Sequence, residues 1–126
     1  MYEIQIEDTF AGAHRLVGYV GKCQNLHGHN WRVQVGLEAE SLDSTGLLMD
    51  FTELKRITRS VLEELDHTYL NELPAFREVN PSAENLSKYI FDRVSERLPG
   101  QGATLTHVRV HETDRYSATY RPSRAR

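Results

Sequence analysis

The chain has 126 residues, one cysteine and a formal net charge of −3 with histidine neutral. This is the size of one ordinary domain able to bury a real core; a lone cysteine cannot close an intrachain disulfide, and dispersed basic residues argue against a broad nucleic-acid surface. No apolar run reaches membrane-spanning length and the N-terminus lacks a signal pattern, so a cytoplasmic protein with no membrane partner is expected. The basic tail from Arg121 to Arg126 reads as a solvated terminus.

The first run, Tyr2 to Glu7, alternates apolar and polar residues, and its even parity carries through Phe10 and Gly12 to His14. A strand over 2–14 is predicted, with a bulge near Asp8 or Gly12. A loop with Gly18, Gly21 and Cys23 follows, longer than a plain hairpin needs. The second strand, about 27–40, carries the pattern on which the chain turns. Trp31, Val33, Val35, Leu37 and Ala39 share the odd parity of His27 and His29, whereas Arg32, Gln34 and Glu38 fall on the other face. Two imidazoles on a core-facing surface are costly unless satisfied, and a divalent metal is the natural partner. A catalytic zinc site takes three protein ligands and keeps one position open, and His14 supplies the third if the two strands form a hairpin. Alone, a histidine at a strand end is most often a packing residue, so His14 gains its weight from the pair. A zinc finger is excluded because no second ligand pair stands at finger spacing.

After a turn around Thr45-Gly46, Asp50 caps a helix over 51–65, with Phe51, Leu54, Ile57, Val61, Leu62 and Leu65 at helical spacing. On residue types alone, the following Asp66-His67 is a polar helix terminus. An irregular segment leads to Asn80-Pro81-Ser82, a helix start, with Leu86, Tyr89, Ile90, Val94 and Leu98 as its apolar stripe and Pro99-Gly100 as its stop. A third strand over 104–113 places Glu112 on the face of Val108 and Val110. Glu112 is then either a charge held for a ligand or a strand-end residue already in solvent, and parity leaves both open. Tyr116, Ala118 and Tyr120 mark a fourth strand. The expected fold is α+β: one domain, 1–126, in the order β-β-α-α-β-β, a four-stranded antiparallel sheet with two helices on one face. The other face, with Glu3, Gln5, Glu7, Arg32 and Gln34, is polar, and cyclic self-association would protect the two sheet edges.

An ordered set of segments resembles the 6-pyruvoyl-tetrahydropterin synthase-like family of the tunnelling fold. Phe10-Ala11-Gly12-Ala13-His14 is similar to its first metal-ligand segment and Cys23-x-x-x-His27-Gly28-His29 to its central motif. Gly46 through Asp50-Phe51, Leu65-Asp66-His67 with Leu70-Asn71, Pro81-Ser82-Ala83-Glu84-Asn85 and Glu112-Thr113 follow in family order, so the resemblance spans essentially the whole chain. Three residues between Cys23 and His27, with Gly18-Tyr19-x-Gly21-Lys22-Cys23, resemble the bacterial branch that forms 6-carboxy-5,6,7,8-tetrahydropterin for queuosine and other 7-deazaguanines; the pyruvoyl-forming branch typically has five. Ser82 departs from the commoner threonine but keeps the hydroxyl.

The resemblance implies a zinc-dependent lyase acting on 7,8-dihydroneopterin 3'-triphosphate and releasing acetaldehyde and triphosphate. It implies Zn2+ on His14, His27 and His29, Cys23 as general base, Asp66 and His67 as a proton relay, and Glu112, Ser82 and Glu84 as substrate contacts. It also implies a trimer-based barrel, usually a homohexamer, with active sites between subunits and the polar sheet face lining the barrel. The competing readings are a 6-pyruvoyl-tetrahydropterin synthase and a non-catalytic zinc- or pterin-binding module.

Overall fold

The computed structural model describes residues 1–18, 21, 24–100 and 102–123. Alternation of apolar and polar residues makes the first two strands, β1 (Tyr2–His14) and β2 (His27–Ala39), which pair antiparallel without interruption from Tyr2 opposite Ala39 to His14 opposite His27. The bulge expected near Asp8 or Gly12 is absent from this pairing. The irregularity lies instead on the other side of β2, between Gly36 and Leu37, where β4 (Thr104–His111) pairs with it.

The helix α1 (Phe51–Leu62) starts where the Asp50 carboxylate accepts a hydrogen bond from Thr52 N at 2.8 Å, and it buries Leu54, Ile57, Val61 and Leu62. It stops three residues before the expected Leu65. The intervening turns still drive Leu65 into the core at 0% exposure, while Phe51 stays outside. The second helix, α2 (Ala83–Arg97), is capped by Ser82 Oγ, which accepts from Asn85 N at 3.1 Å. It buries Leu86, Ile90, Phe91 and Val94.

Both helices pack on one face of the sheet, over Trp31, Val33, Val35, Leu37, Val108 and Val110, all fully buried. The sheet has five strands rather than four, in the order β3-β1-β2-β4-β5, with β5 at Ser117–Tyr120. The extra strand, β3 (Thr68–Tyr69), runs parallel to β1 beside Gly12 and Ala13, so the sheet is mixed rather than wholly antiparallel. Two residues are too few to show a period, and this strand exists because the chain leaving α1 is tied to the edge of β1.

On the opposite, polar face, Gln34 Nε2 donates to Glu7 Oε1 at 3.0 Å and Arg32 lies 3.4 Å from the same carboxylate. His107 is nearly buried there because Gly36 leaves room for its ring: a Cβ at position 36 would stand 2.4 Å from His107 Cε1. Gly36→Ala therefore displaces the imidazole and costs about 1–3 kcal/mol of stability, measurable as an earlier denaturant midpoint. An unchanged midpoint would show that the ring moves away freely.

Candidate active site at a histidine cluster

The unbroken register of β1 and β2 places His14, the last residue of one strand, opposite His27, the first of the other, with His29 two residues further along the same face. The three rings meet edge to face, with centroids 4.5 Å (His14–His27), 5.4 Å (His14–His29) and 4.8 Å (His27–His29) apart. The Trp31 indole closes the cluster from behind, 4.9 Å from the His14 ring and 5.1 Å from that of His29, and its Nε1 donates to Gly12 O at 3.1 Å.

Backbone carbonyls decide what the imidazoles can do. His14 Nδ1 is 2.7 Å from Pro81 O and His27 Nδ1 is 2.6 Å from Asn25 O. A carbonyl only accepts, so each Nδ1 carries the hydrogen and each Nε2 is left with its lone pair. Those two Nε2 atoms face each other at 3.0 Å. Two bare lone pairs at that distance repel unless a cation lies between them, and ligands of a tetrahedral zinc with Zn–N of about 2.0–2.1 Å stand at a similar separation. Burial pushes the His14 imidazole below its ordinary pKa despite the Pro81 bond, and it does the same for His29 despite the nearby Glu112 charge, so both favour the neutral form that binds metal.

Glu112 joins this group from just past the end of β4. Its Oε1 lies 2.8 Å from His29 Nε2, 3.8 Å from His14 Nε2 and 3.9 Å from His27 Nε2. Apart from this contact with Glu112, His29 Nε2 is a buried nitrogen with no other partner among the described residues. One donor atom from each of the four residues lies within 4.8 Å of the others. Three imidazoles with converging nitrogens fit a divalent ion such as zinc and leave a position open, with the carboxylate beside them. Of the two readings open for Glu112, the structure selects the one in which the carboxylate faces the site.

Asp66 and His67 are brought together, but on other ground. Asp66 Oδ1 accepts from Ala11 N at 2.9 Å, and His67 N donates to Ala11 O at 2.6 Å, so the turn takes both backbone groups of an edge-strand residue. His67 Nδ1 is 3.1 Å from Asp66 Oδ1, and the His67 backbone sits at φ 57°, a conformation rarely adopted by a residue with a side chain. Arg59 braces the turn, 3.5 Å from Asp66 Oδ2 and donating to Thr9 O at 2.8 Å. The His67 ring is 82% exposed and lines an open groove of about 520 Å3 with Ala11, Ala13, His29, Asn30 and Tyr69. His29 belongs to the metal cluster, so the relay histidine opens onto a surface that reaches the cluster.

Cys23 lies outside the described residues. Ser82 spends its hydroxyl on the α2 cap, and Glu84 is exposed in the first turn of α2, where its carboxylate makes no hydrogen bond or ion pair among the described residues. Sequence reasoning did not identify the carbonyls of Pro81 and Asn25 or the bracing Arg59. A carbonyl's direction has no sequence signal, although the proline at the helix start marked the segment that supplies one.

The model of the family described as 6-pyruvoyl tetrahydropterin synthase matches residues 3–123. The chain belongs to that family. Within it, the chain is 36% identical to a putative 6-carboxy-5,6,7,8-tetrahydropterin synthase of Archaeoglobus fulgidus, over 88% of each chain. It is 39% identical to a 6-pyruvoyl tetrahydrobiopterin synthase of Poecilia reticulata, over 80% of this chain and 70% of the relative. The structure of the Caenorhabditis elegans 6-pyruvoyl tetrahydropterin synthase superposes with a TM-score of 0.87 at 28% identity, covering 97% of this chain and 96% of that one. Relatives named for either product are thus comparably similar. Among the described residues no helix is long and apolar enough to cross a membrane.

Two outcomes follow from this geometry. Zinc-loaded protein loses its stoichiometric metal on His27→Ala, read by metal analysis of the purified chain; full occupancy would remove His27 from the ligand set. The Asp66 carboxyl is held below its ordinary value of 3.8, first by the Ala11 N–H and then by His67 and Arg59. A depressed carboxylate stabilises the fold above its unfolded pKa, and that contribution is lost as pH falls through the folded pKa. The melting-temperature gap between wild type and Asp66→Ala is therefore full at pH 7 and narrows below about pH 4; a gap independent of pH would deny the charged group this role.

Proposed function

We propose that this chain is a zinc-dependent carbon-carbon lyase that converts 7,8-dihydroneopterin 3'-triphosphate and water to 6-carboxy-5,6,7,8-tetrahydropterin, acetaldehyde and triphosphate, in the route to queuosine and related 7-deazaguanines. The observation that carries the reading is the cluster of three histidines with two Nε2 lone pairs converging at 3.0 Å and a carboxylate beside them. Family membership and the three-residue spacing between Cys23 and His27 support the choice of reaction.

Zinc held by His14, His27 and His29 would supply Lewis acidity to the substrate's side-chain hydroxyls and make the adjacent C–H more acidic. Cys23 takes a proton as thiolate, which positive charge from the site and Lys22 favours. Asp66 fixes the His67 tautomer: with Nδ1 turned to the carboxylate, Nε2 is the atom free to accept and deliver protons. Glu112 receives the pterin amino and ring N–H groups in a bidentate pair, and the first turn of α2, with Ser82 and Glu84, adjoins the Pro81 carbonyl that holds His14. The 82% exposure of the His67 ring and the family resemblance support a site completed between subunits, each relay serving a neighbour's metal, in a trimer-based hexamer.

Zinc-replete protein incubated with dihydroneopterin triphosphate should release acetaldehyde. Accumulation of the pyruvoyl pterin without acetaldehyde would establish the alternative synthase, and pterin binding without turnover a non-catalytic module. Cys23→Ala should keep its zinc and lose about 10²–10⁴-fold in turnover, as expected on removing a positioned base; zinc loss in parallel would make Cys23 a ligand instead. Glu112→Ala should keep its zinc and weaken pterin binding by about 1.5–3 kcal/mol, read by calorimetry. Unchanged pterin affinity would exclude Glu112 as the anchor.

A further inference from the structure

Next to the His67 groove lies a second cavity that the chemistry above does not use. It holds about 390 Å3, within the usual range for small-ligand pockets, and Tyr69 forms part of the wall of both. Arg15 and Arg77 line it. Arg32, Arg56, Arg59, Arg93 and Arg97 each stand within ion-pair distance of a carboxylate, whereas among the described residues Arg15 and Arg77, like Arg109, Arg115 and Arg121, do not. Two guanidiniums on the wall of one cavity can hold an anion, since the fork of N–H donors matches phosphate oxygens. Glu78 is also on the wall, which leaves the lining with one net positive charge.

The rim of this cavity is built with unusual firmness for a surface loop. Asn71 Oδ1 accepts from Arg15 N at 2.9 Å while its Nδ2 donates to Arg15 O at 2.9 Å. Asn80 repeats the arrangement on Val17, accepting from N at 2.8 Å and donating to O at 2.9 Å. Two side-chain amides thus stand in for a neighbouring strand and continue the edge pairing of β1 beyond His14. They fix the backbone from which Arg15 projects, so only its side chain is left to order on binding.

We propose that this cavity is a polyphosphate subsite: Arg15 and Arg77 hold the triphosphate arm of the substrate, and Asn71 and Asn80 are positioning residues for Arg15. The assignment of the arm rests on the proposed reaction. Because the cavity adjoins the groove of His67, the same subunit supplies both the proton relay and the phosphate grip to a substrate held at the metal.

The test uses zinc-loaded wild-type protein, Arg77→Gln, the double variant Arg15→Gln/Arg77→Gln and, as a control, Arg93→Gln on α2. Binding of inorganic triphosphate is measured by calorimetry, beside zinc content, melting temperature and binding of phosphate-free neopterin. Wild type and control bind triphosphate alike, Arg77→Gln binds about tenfold or more weakly, and neither zinc nor neopterin binding changes. Arg77 is exposed and outside the helices, so its variant remains informative if Arg15→Gln disturbs folding. In turnover, Arg77→Gln raises KM for the triphosphate substrate with kcat little altered. No triphosphate binding by wild type, or equal binding by the double variant, overturns the subsite. Lost triphosphate binding with an unaltered KM would assign the cavity to free polyphosphate and overturn its place in the reaction. The binding arm does not depend on which product the enzyme makes, so failure of the proposed reaction shows separately, in the acetaldehyde assay.

Discussion

The pairing register of β1 and β2 is the constraint on which the rest of the molecule depends. His14 faces His27 only because thirteen consecutive residue pairs run without a bulge from Tyr2 and Ala39. A slip of one residue would turn every side chain of one strand to the other face and separate the imidazoles by the thickness of the sheet. The register is enforced where it matters: Phe10 stacks on Trp31, and the Trp31 N–H reaches across to the Gly12 carbonyl. The core and the site are therefore stabilised by the same contacts, and anything that loosens the core beneath Trp31 loosens the cluster above it.

Given that register, the direction of two carbonyls sets the chemistry. Pro81 and Asn25 hold the hydrogen on Nδ1 of His14 and His27 and leave the Nε2 lone pairs pointing at one another, a repulsive arrangement for the free chain and a ready one for a cation. The carbonyl of Pro81 is available because α2 begins one residue after Ser82 caps it, so the helix start and the ligand orientation are one feature.

The turn leading into β3 performs the corresponding task at the edge of β1. Asp66 and His67 capture both backbone groups of Ala11, and that tie, with Arg59, holds His67 at a positive φ that no helix or strand would give it. The same edge then passes to Asn71 and Asn80. One sheet edge thus organises the relay and the neighbouring cavity, while the interior of the sheet organises the metal ligands.

Much of this was legible in the chain itself. Parity alone put His27 and His29 on the face of Trp31 and Val33, matched His14 to them, and located both helices with their caps, because side-chain alternation and helical spacing are local consequences of backbone geometry. The ordered motifs carried the family. What local patterning did not contain was decided by contacts across long stretches of sequence. A two-residue strand has no period, so β3 and the mixed sheet came only from edge pairing. The early end of α1, the room Gly36 leaves for His107, and the choice of a site-facing Glu112 over a solvated one were likewise set by packing. The docking of His67 on Ala11 depends on which side of β1 the chain returns to after α1, a fact of topology that neighbouring residues cannot encode.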